Sequence, residues 1–319
     1  MRGCWIAAYY PWQASSIELP TDVGTMLQHT HLQPVSPQRV VVVGARGFVG
    51  ANLVQRLESL DVPVLGLTSA DLDLATEGAD ERLARMLEPH DTVVMLAALT
   101  PDKGRGLLTF MTNMAMSQTV CQALERQPVQ HVVYISSDAV YPMSKSHVTE
   151  QTCAEPDDLY GTMHRAREMM FESVTATNLA VLRLTMIYGV GDTHNSYGAN
   201  RFRRMALDGG PITLFGGGEE KRDHLFIDDA VDLMTLVIRH GSTGVLNLAT
   251  GAAVTFDALA HQVAALFTPQ TNVLHQERNN PITYRHFDVT TLRKAFPDFR
   301  FTPMKEALRK VHEQDVKGT

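Results

Sequence analysis

The sequence predicts an α/β protein with a doubly wound parallel sheet and a smaller C-terminal lobe. Two observations support this fold class. From Arg39 onward, short apolar and β-branched runs alternate with longer segments of helical periodicity. Such alternation with short connections is typical of a parallel sheet that carries helices on both faces. After Tyr188 the chain becomes irregular and rich in glycine, which indicates that a second lobe begins there.

The individual elements follow from local periodicity. In the segment 48–60, Val49, Leu53 and Leu57 recur at the helical period, so one face of this helix should pack against the sheet. Strands are predicted in the apolar segments 39–45, 62–68, 91–99, 130–137, 179–189 and 244–251. Helices are predicted in the segments 48–60, 79–90, 107–127, 159–168 and 225–240.

The same pattern divides the chain into three regions. Residues 1–38 contain several prolines and no sustained periodicity, so we expect an N-terminal extension that is partly disordered. Residues 39–185 contain the regular alternation and form the sheet domain. Residues 186–319 mainly form the second lobe, although the strand predicted at 244–251 should return to the sheet.

Composition and charge exclude several classes of function. The net charge of −7 argues against a nucleic-acid partner, because phosphate binding needs clustered Lys and Arg. No segment has the apolar length of a membrane span. The three cysteines, Cys4, Cys121 and Cys153, show neither metal-ligand spacing nor an even disulfide set. We therefore expect a cytoplasmic protein without a metal site.

A glycine-rich turn joins the first predicted strand to the first predicted helix. In VVVVGARGFVGANL, Gly44, Gly47 and Gly50 follow one another at intervals of three residues. The first glycine permits the tight turn, the second lets the backbone approach a pyrophosphate, and the third allows close helix–strand packing. The flanking strand and helix supply the context of this motif, so residues 39–185 are predicted to bind a dinucleotide. A purely structural turn is the alternative.

The residues around this turn favour NADP, with NAD as the alternative. NAD sites usually offer a carboxylate at the end of the second strand, whereas this strand ends at Thr68 and the next carboxylate is Asp71. Arg46, inside the turn, is suited to bind a 2′-phosphate, and a solvated surface arginine is the alternative. Asp73 is suited either to bind the adenine amino group or to cap a helix.

The order of several motifs resembles the extended short-chain dehydrogenase/reductases, which are nucleotide-sugar epimerases, dehydratases and 4-ketoreductases. The motifs are GARGFVG, DLDL, LAAL, YISSDAVY, YGTMH, LRLTMIYG and KRDHLFIDD. The resemblance runs from about Arg39 to the C-terminus. It implies a Rossmann-type fold, an NAD(P) cofactor and a nucleotide-sugar substrate bound by the C-terminal lobe. It also implies a homodimer that pairs the Met-rich helices 107–127 and 159–168.

The resemblance further implies roles for residues at matching positions. Asn113 would steady the sheet near the nicotinamide, Ser137 would hydrogen-bond the reacting oxygen of the substrate, and Tyr160 would exchange its proton. Substrate contacts are implied for Asp138, for Asn200 and for Arg222, which would bind the diphosphate. The cofactor contacts expected are Gly44, Arg46, Gly47, Phe48, Val49, Thr68, Asp73, Leu74, Leu96, Ala97 and Ala98, together with Tyr160 and His164.

Two departures from the family pattern bear on the reaction. Dehydrating members carry an Asp–Glu pair after the serine-like residue, but here Asp138 is followed by Ala139, which argues against dehydration. The second departure is His164, which stands four residues after Tyr160, where the family has lysine. A buried histidine beside a nicotinamide should be neutral at about pH 7, so it can bind a ribose hydroxyl but activates the tyrosine weakly. This substitution favours reduction over oxidation.

We therefore expect an NAD(P)-dependent oxidoreductase of nucleotide sugars with Ser137, Tyr160 and His164 as catalytic residues. The sequence does not choose between a 4-ketoreductase and an epimerase. The alternative is a catalytically impaired protein that binds the cofactor as a redox sensor, with His164 as a structural residue. His194 and His224 are further candidate acids, although a single histidine more often has a structural role.

Overall fold

The computed structural model describes residues 27–175 and 178–318. The expectation of disorder in the N-terminal extension falls mostly on residues 1–26, which lie outside the described residues, as does Cys4. The rest of the extension packs against residues 239–243, just before the strand predicted at 244–251. Gln28 exchanges two backbone hydrogen bonds with Thr243, with N···O distances of 2.9 and 2.8 Å, and Val35 donates to the carbonyl of Arg239.

Each segment predicted as a strand or a helix contains or overlaps such an element, and further short elements lie at residues 147–148 and after residue 199. The strands are β1 Arg39–Val43, β2 Val64–Leu67, β3 Asp91–Met95, β4 His131–Ser137, β5 His147–Val148, β6 Leu179–Leu184, β7 Met186–Tyr188, β8 Ile212–Phe215, β9 Lys221–Arg222, β10 His224–Phe226, β11 Gly244–Leu248, β12 Val254–Thr255, β13 Val273–Gln276 and β14 His286–Phe287. The helices are α1 Phe48–Glu58, α2 Ala79–Met86, α3 Leu107–Arg126, α4 Leu159–Thr175, α5 Ala199–Leu207, α6 Ile227–Arg239, α7 Phe256–Ala264, α8 Thr290–Ala295 and α9 Met304–Gly318.

A central parallel sheet organises the molecule. Within the described residues it has six strands in the order β11–β6–β4–β3–β1–β2. The chain starts in β1, adds β2 on one side and then crosses over to add β3 on the other side. In open α/β sheets, ligands bind in the crevice beyond the carboxyl ends of the strands at such a reversal. Here this crevice follows Val43 and Met95.

Apolar side chains pack on both faces of the sheet, so the doubly wound fold is confirmed. Val40 and Val42 of β1 belong to a core cluster shared with α1 and α6. Val41 and Val43 belong to the opposite cluster, which is shared with α2, α3 and α4. Because successive strand residues face opposite sides and both sides are covered, all four valines are buried. This explains the uninterrupted apolar run of β1.

The segment predicted as one strand at 179–189 is divided in two. β6 runs in the central sheet, but after Thr185 the chain continues as β7, which pairs with β10. The neighbours of β6 end level with it, at Ser137 of β4 and Leu248 of β11. Beyond this point the backbone groups must find partners elsewhere, and β10 supplies them.

The second lobe is built from smaller units. β8 pairs with β13, and β9 pairs with β12, while α5 and α7 pack against each other. β11 then joins the central sheet beside β6. None of the helices in the described ranges is long and apolar enough to cross a membrane.

Candidate active site

A cavity of about 510 Å³ lies beyond the carboxyl ends of the central strands. The glycine turn and the start of α1 form one wall, and the segments that follow β3, β4 and β6 form the others. The sequence-predicted residues that line it are Gly44, Gly47, Phe48, Val49, Leu96, Ala98, Ser137, Asp138, Tyr160, His164 and His194. The fold thus brings together residues from motifs that are far apart in the sequence.

The glycine turn has the close contacts that its spacing predicts. Gly44 has a φ of +100°, and a Cβ atom there would lie 2.7 Å from the backbone nitrogen of Ala97. A Cβ atom at Gly50 would lie 2.2 Å from the carbonyl oxygen of Gly44, so glycine permits the close approach of α1. Gly47 is exposed just before α1, whose first turn contains no acidic residue. The N–H groups of that turn have no acceptor within the helix and therefore fit a pyrophosphate.

Two charged residues, Arg46 and Asp71, lie where the adenosine end of a dinucleotide is expected. Arg46 is exposed at the glycine turn and forms no ion pair with the described residues. Thr68 donates through its Oγ1 and its backbone nitrogen to the Asp71 carboxylate, at 2.7 and 2.9 Å, and these bonds lower the pKa of Asp71. A carboxylate therefore does lie at the end of β2, held there by a turn that the sequence spacing concealed.

The DLDL segment serves the fold through at least two of its residues. Asp73 is exposed, and its Oδ1 accepts a hydrogen bond of 2.9 Å from the backbone nitrogen of Ala75. The alternative role of Asp73 as a helix cap is excluded, because α2 begins only at Ala79, and the adenine contact stays a prediction. Leu74 is buried in the core, and its carbonyl accepts from Thr119 on α3. The side chain of Leu74 thus packs in the core, and a cofactor contact would have to come from its backbone.

The segment after β3 is held against the glycine turn. The backbone nitrogens of Leu96 and Ala97 both donate to the carbonyl of Val43, at 2.9 Å. Asn113 on α3 is buried; its Oδ1 accepts from the backbone nitrogen of Leu99 at 2.7 Å, and its Nδ2 donates to the carbonyl of the same residue at 3.0 Å. Asn113 therefore fixes the loop that forms one wall of the cavity.

Ser137 and Tyr160 meet at the carboxyl end of β4. Ser137 is the last residue of this strand, and Tyr160 lies in the first turn of α4. Both side chains line the cavity. Burial, and secondarily the charge of Asp138, raise the pKa of Tyr160 to about 12, although Ser137 and then Arg167 act in the opposite direction. At neutral pH the phenol is protonated and can donate its proton.

His164 lies one turn after Tyr160, and the two rings are in edge-to-face contact with centroids 4.7 Å apart. The imidazole is buried, and its Nδ1 lies 2.8 Å from the hydroxyl of Tyr134. Its Nε2 is buried without a hydrogen-bond partner among the described residues. Burial and the positive charge of Arg167 lower the pKa of His164 well below its ordinary value. The ring is neutral at pH 7, as the sequence predicted.

Sequence reasoning missed Tyr134 and Arg167. Arg167 is 1% exposed, its Nη2 donates to the carbonyl of Ala97 at 2.8 Å, and its guanidinium lies 5.3 Å from the centroid of the Tyr134 ring. The spacing of three residues from His164 was a usable signal for Arg167, because such residues share a helix face. Tyr134 gave no comparable signal, since only the packing of α4 on β4 brings it to His164.

Asp138 follows β4 directly and lines the cavity. Its Oδ2 lies 3.5 Å from Nη1 of Arg285, a residue of 2% exposure that sequence reasoning also missed. Arg285 donates to the backbone carbonyls of Asp138 and Tyr141 as well, so it fixes this turn. Burial raises the pKa of Asp138, and the charges of Arg285 and Arg222 oppose that shift.

The other two predicted substrate residues, Asn200 and Arg222, lie outside the described lining of this cavity. Asn200 is buried; its amide accepts from the backbone nitrogen of Gly189 and donates to the carbonyl of Ile187. Arg222 donates to the carbonyl and the hydroxyl of Thr283, at 2.9 and 2.5 Å. Both side chains stabilise the second lobe here, and their contact with a substrate stays a prediction.

The two candidate acids differ in their surroundings. Burial lowers the pKa of His224 to about 4, and this histidine lies outside the described lining of the cavity. His194 lines the cavity, and its Nδ1 lies 3.1 Å from the carboxylate of Asp102. This contact joins the loop that follows β3 to the loop that follows β7.

The cavity fits a nicotinamide dinucleotide. The glycine turn offers backbone donors and close approach for a pyrophosphate. The unpartnered Nε2 of His164 fits a ribose hydroxyl, and the Tyr160 phenol lies beside it. In the part of the chain that the structure describes, no group of three or more His, Cys, Asp or Glu side chains could hold a metal ion.

Comparison with known proteins points in the same direction. The model of the NAD dependent epimerase/dehydratase family matches residues 40–249. The N-acetyl-alpha-D-glucosaminyl-diphospho-ditrans,octacis-undecaprenol 4-epimerase of Escherichia coli O157:H7 is 25% identical over 217 residues. The alignment covers 64% of this chain and 64% of the length of that relative.

Two solved structures show the fold together with different cofactors. MoeE5 in complex with UDP-glucose and NAD has a TM-score of 0.76 at 23% identity, over 88% of this chain and 99% of its own. A GDP-L-fucose synthetase from Naegleria fowleri bound to NADP has a TM-score of 0.79 at 16% identity, over 91% of this chain and 97% of its own. The six-stranded sheet of this chain therefore has the Rossmann-type architecture of these proteins.

Proposed function

The chain belongs to the NAD dependent epimerase/dehydratase family, and we propose that it is an NADP-dependent reductase that acts on a keto group of a nucleotide sugar. The substrate class is proposed from the family and from the relatives, which include the 4-epimerase of E. coli and a structure with bound UDP-glucose. An epimerase is the second candidate, because that E. coli relative is a 4-epimerase. The keto group at carbon 4 is the first position to test.

The observation that carries this proposal is that Tyr160 and Ser137 both line the cavity that the glycine turn borders. A bound NADPH supplies the hydride. Tyr160 holds the proton that the carbonyl oxygen takes up, and Ser137 is placed to hydrogen-bond the same oxygen. Because the pKa of Tyr160 is raised to about 12, its resting form is the one that reduction consumes. Oxidation needs the phenolate, which is rare at neutral pH.

The choice of NADP rests on Arg46. Its guanidinium is exposed at the glycine turn and is unpaired with the described acidic residues, so a 2′-phosphate can form a bidentate contact with it. Asp71 argues for NAD, since a carboxylate at the end of β2 suits a ribose hydroxyl. Both hydrogen bonds from Thr68 reach Oδ2 of this carboxylate, so Asp71 remains the argument for NAD and Arg46 carries the choice of NADP.

We also propose a homodimer that pairs α3 and α4 with their copies. Leu107, Leu108, Met111 and Met169 on these helices are 67%, 82%, 54% and 56% exposed. Such an apolar surface is unusual on a monomer and would be buried by a second copy. The cytoplasm is the proposed location, because Cys121 and Cys153 are free thiols, as a reducing compartment maintains them.

Ligand-dependent melting combined with turnover tests the function. We expect NADPH to raise the melting temperature and a keto nucleotide sugar to raise it further, because ligands that bind only the native state stabilise it. The same sugar should cause NADPH oxidation, and Tyr160→Phe should bind both ligands without turnover. Interconversion of two sugars without net NADPH consumption would identify an epimerase. Cofactor binding without any turnover across UDP-, GDP-, ADP- and dTDP-sugars would instead support the redox sensor.

A further inference from the structure

Tyr134 reaches His164 from inside the sheet domain. Its side chain is 0% exposed, and its ring stacks on Phe171 with centroids 5.0 Å apart. Its hydroxyl lies 2.8 Å from Nδ1 of His164, and this is its hydrogen bond in the described part of the chain. The His164 imidazole is therefore the hydrogen-bond partner of this buried phenol among the described residues.

This contact decides which nitrogen of His164 carries the hydrogen. If Nδ1 donated, the buried hydroxyl hydrogen of Tyr134 would be left without an acceptor and would lose its hydration uncompensated. The phenol therefore donates, Nδ1 accepts, and the neutral ring carries its hydrogen on Nε2. Nε2 is the buried nitrogen without a partner in the described chain, on a ring that lines the cavity. A ligand oxygen can accept this hydrogen bond.

Arg167 places a permanent positive charge beside the Tyr134 ring. It is 1% exposed, and its contacts are the carbonyl of Ala97, the sulfur of Met163 and the face of Tyr134. None of these groups is negatively charged, and no described carboxylate forms an ion pair with it. A buried guanidinium without a counter-charge is costly, so its presence calls for a function.

We propose that Tyr134 and Arg167 are positioning residues of this site. Tyr134 fixes His164 as an Nε2–H donor to the ribose of the nicotinamide, and Arg167, whose guanidinium lies on the Tyr134 ring, is the positive charge that disfavours the oxidised nicotinamide ring relative to the reduced one. Neutral His164 supplies the donor but no charge, so the two tasks lie on different residues. This inference rests on the proposed function only in assuming that a nicotinamide occupies the cavity.

The role of Tyr134 is tested by ¹⁵N NMR of histidine-labelled protein without cofactor, with the His164 signals assigned by their loss in His164→Gln. At pH 7 we expect Nε2 to be protonated and Nδ1 to be unprotonated. Tyr134→Phe should remove the single tautomer and give signals of both. A wild-type ring protonated on Nδ1, or an unchanged tautomer in Tyr134→Phe, would overturn the role of Tyr134.

The role of Arg167 is tested by the dissociation constants of NADP and NADPH. Because the oxidised nicotinamide ring is positively charged, Arg167→Met should improve binding of NADP relative to NADPH by about three- to tenfold. Arg167→Lys should retain the wild-type ratio. Arg165→Met is the matched control on the same helix: Arg165 is already paired with Glu168 at 3.1 Å, so its loss should leave the ratio unchanged.

The outcomes separate the two proposals. An equal change of both dissociation constants in Arg167→Met would mark Arg167 as structural and overturn its role. If this variant does not fold, Arg167→Gln takes its place with the same expected direction. If the wild-type protein binds neither cofactor, the proposed function fails, while the NMR result still decides the orientation of His164.

Discussion

The walls of the cavity and the neighbouring part of the second lobe use their polar groups in different ways. At the glycine turn, the first N–H groups of α1 have no acceptor within the helix, and the Nε2 of His164 has no described partner. In the second lobe, the side chains of Asn200 and Arg222 are bonded to backbone carbonyls and to Thr283. The proposed cofactor side therefore offers unpaired hydrogen-bond donors, whereas the side chains of the proposed substrate side already form hydrogen bonds within the protein.

This difference has an energetic consequence. A preformed site binds its ligand without giving up bonds within the protein. A substrate that recruits Arg222 has to replace the hydrogen bonds of this guanidinium with Thr283, so part of its binding free energy is lost. We therefore expect the cofactor to bind independently and the substrate to bind with a rearrangement of the second lobe.

The largest expected effect is on the cofactor side. Tyr160→Phe removes the transferable proton and should lower turnover by about 10²–10⁴, the range of general acid–base catalysis. The affinity for NADPH should stay within about twofold, because His164 and the glycine turn remain. Initial rates and fluorescence titration measure the two quantities. Full activity in this variant would transfer the role of the acid to another group, such as Asp138 or His194.

The pH dependence of the two reaction directions should differ nearly as much. Because the pKa of Tyr160 is raised to about 12, the phenol stays protonated below that value and the phenolate fraction rises about tenfold per pH unit. Reduction should be flat between pH 6 and 9, and oxidation should rise about a hundredfold between pH 7 and 9. An oxidation rate that reaches a plateau near pH 7 would mean that the phenol ionises far more easily than its burial implies.

The substrate side is tested by a pair of variants. Arg222→Met should raise the KM of a nucleotide sugar by about ten- to thirtyfold, the loss of a charge-assisted contact with a diphosphate, and should leave NADPH affinity unchanged. Thr283→Val is the matched control: it removes one partner of the guanidinium, so KM should stay the same or fall. If Arg222→Met lowers the melting temperature and leaves KM unchanged, Arg222 is structural and the substrate binds elsewhere.

The smallest expected effect concerns the choice of cofactor. Arg46→Ala should weaken NADPH binding by about tenfold and change NADH binding little, because only NADPH carries the 2′-phosphate. Asp71→Asn removes the opposing charge and should strengthen NADPH binding slightly. Titration of both cofactors measures these changes. An equal loss of both cofactors in Arg46→Ala, or a selective loss of NADH in Asp71→Asn, would reverse the assignment to NAD.

The sequence predicted local structure correctly where the contacts join elements that follow one another in the chain. The glycine turn, the strand it follows and the helix it precedes are contiguous, so their contacts follow from residue spacing. The neutrality of His164 was also predictable, since burial of an imidazole lowers its pKa regardless of detail. Of the two roles left open for Asp73, the helix cap fails because a turn separates this residue from the start of α2 at Ala79.

The sequence by itself determined the doubly wound sheet and the glycine turn at the carboxyl end of its first strand, whereas the roles of Ser137 and Tyr160 were implied by the family resemblance. Only the tertiary structure decided that Tyr134 and Arg167 surround His164, that Arg285 holds Asp138, and that Thr283 occupies Arg222. Apart from Arg167, which shares α4 with His164, these partners come from elements distant in the chain, and contacts over such separations depend on packing rather than on residue spacing.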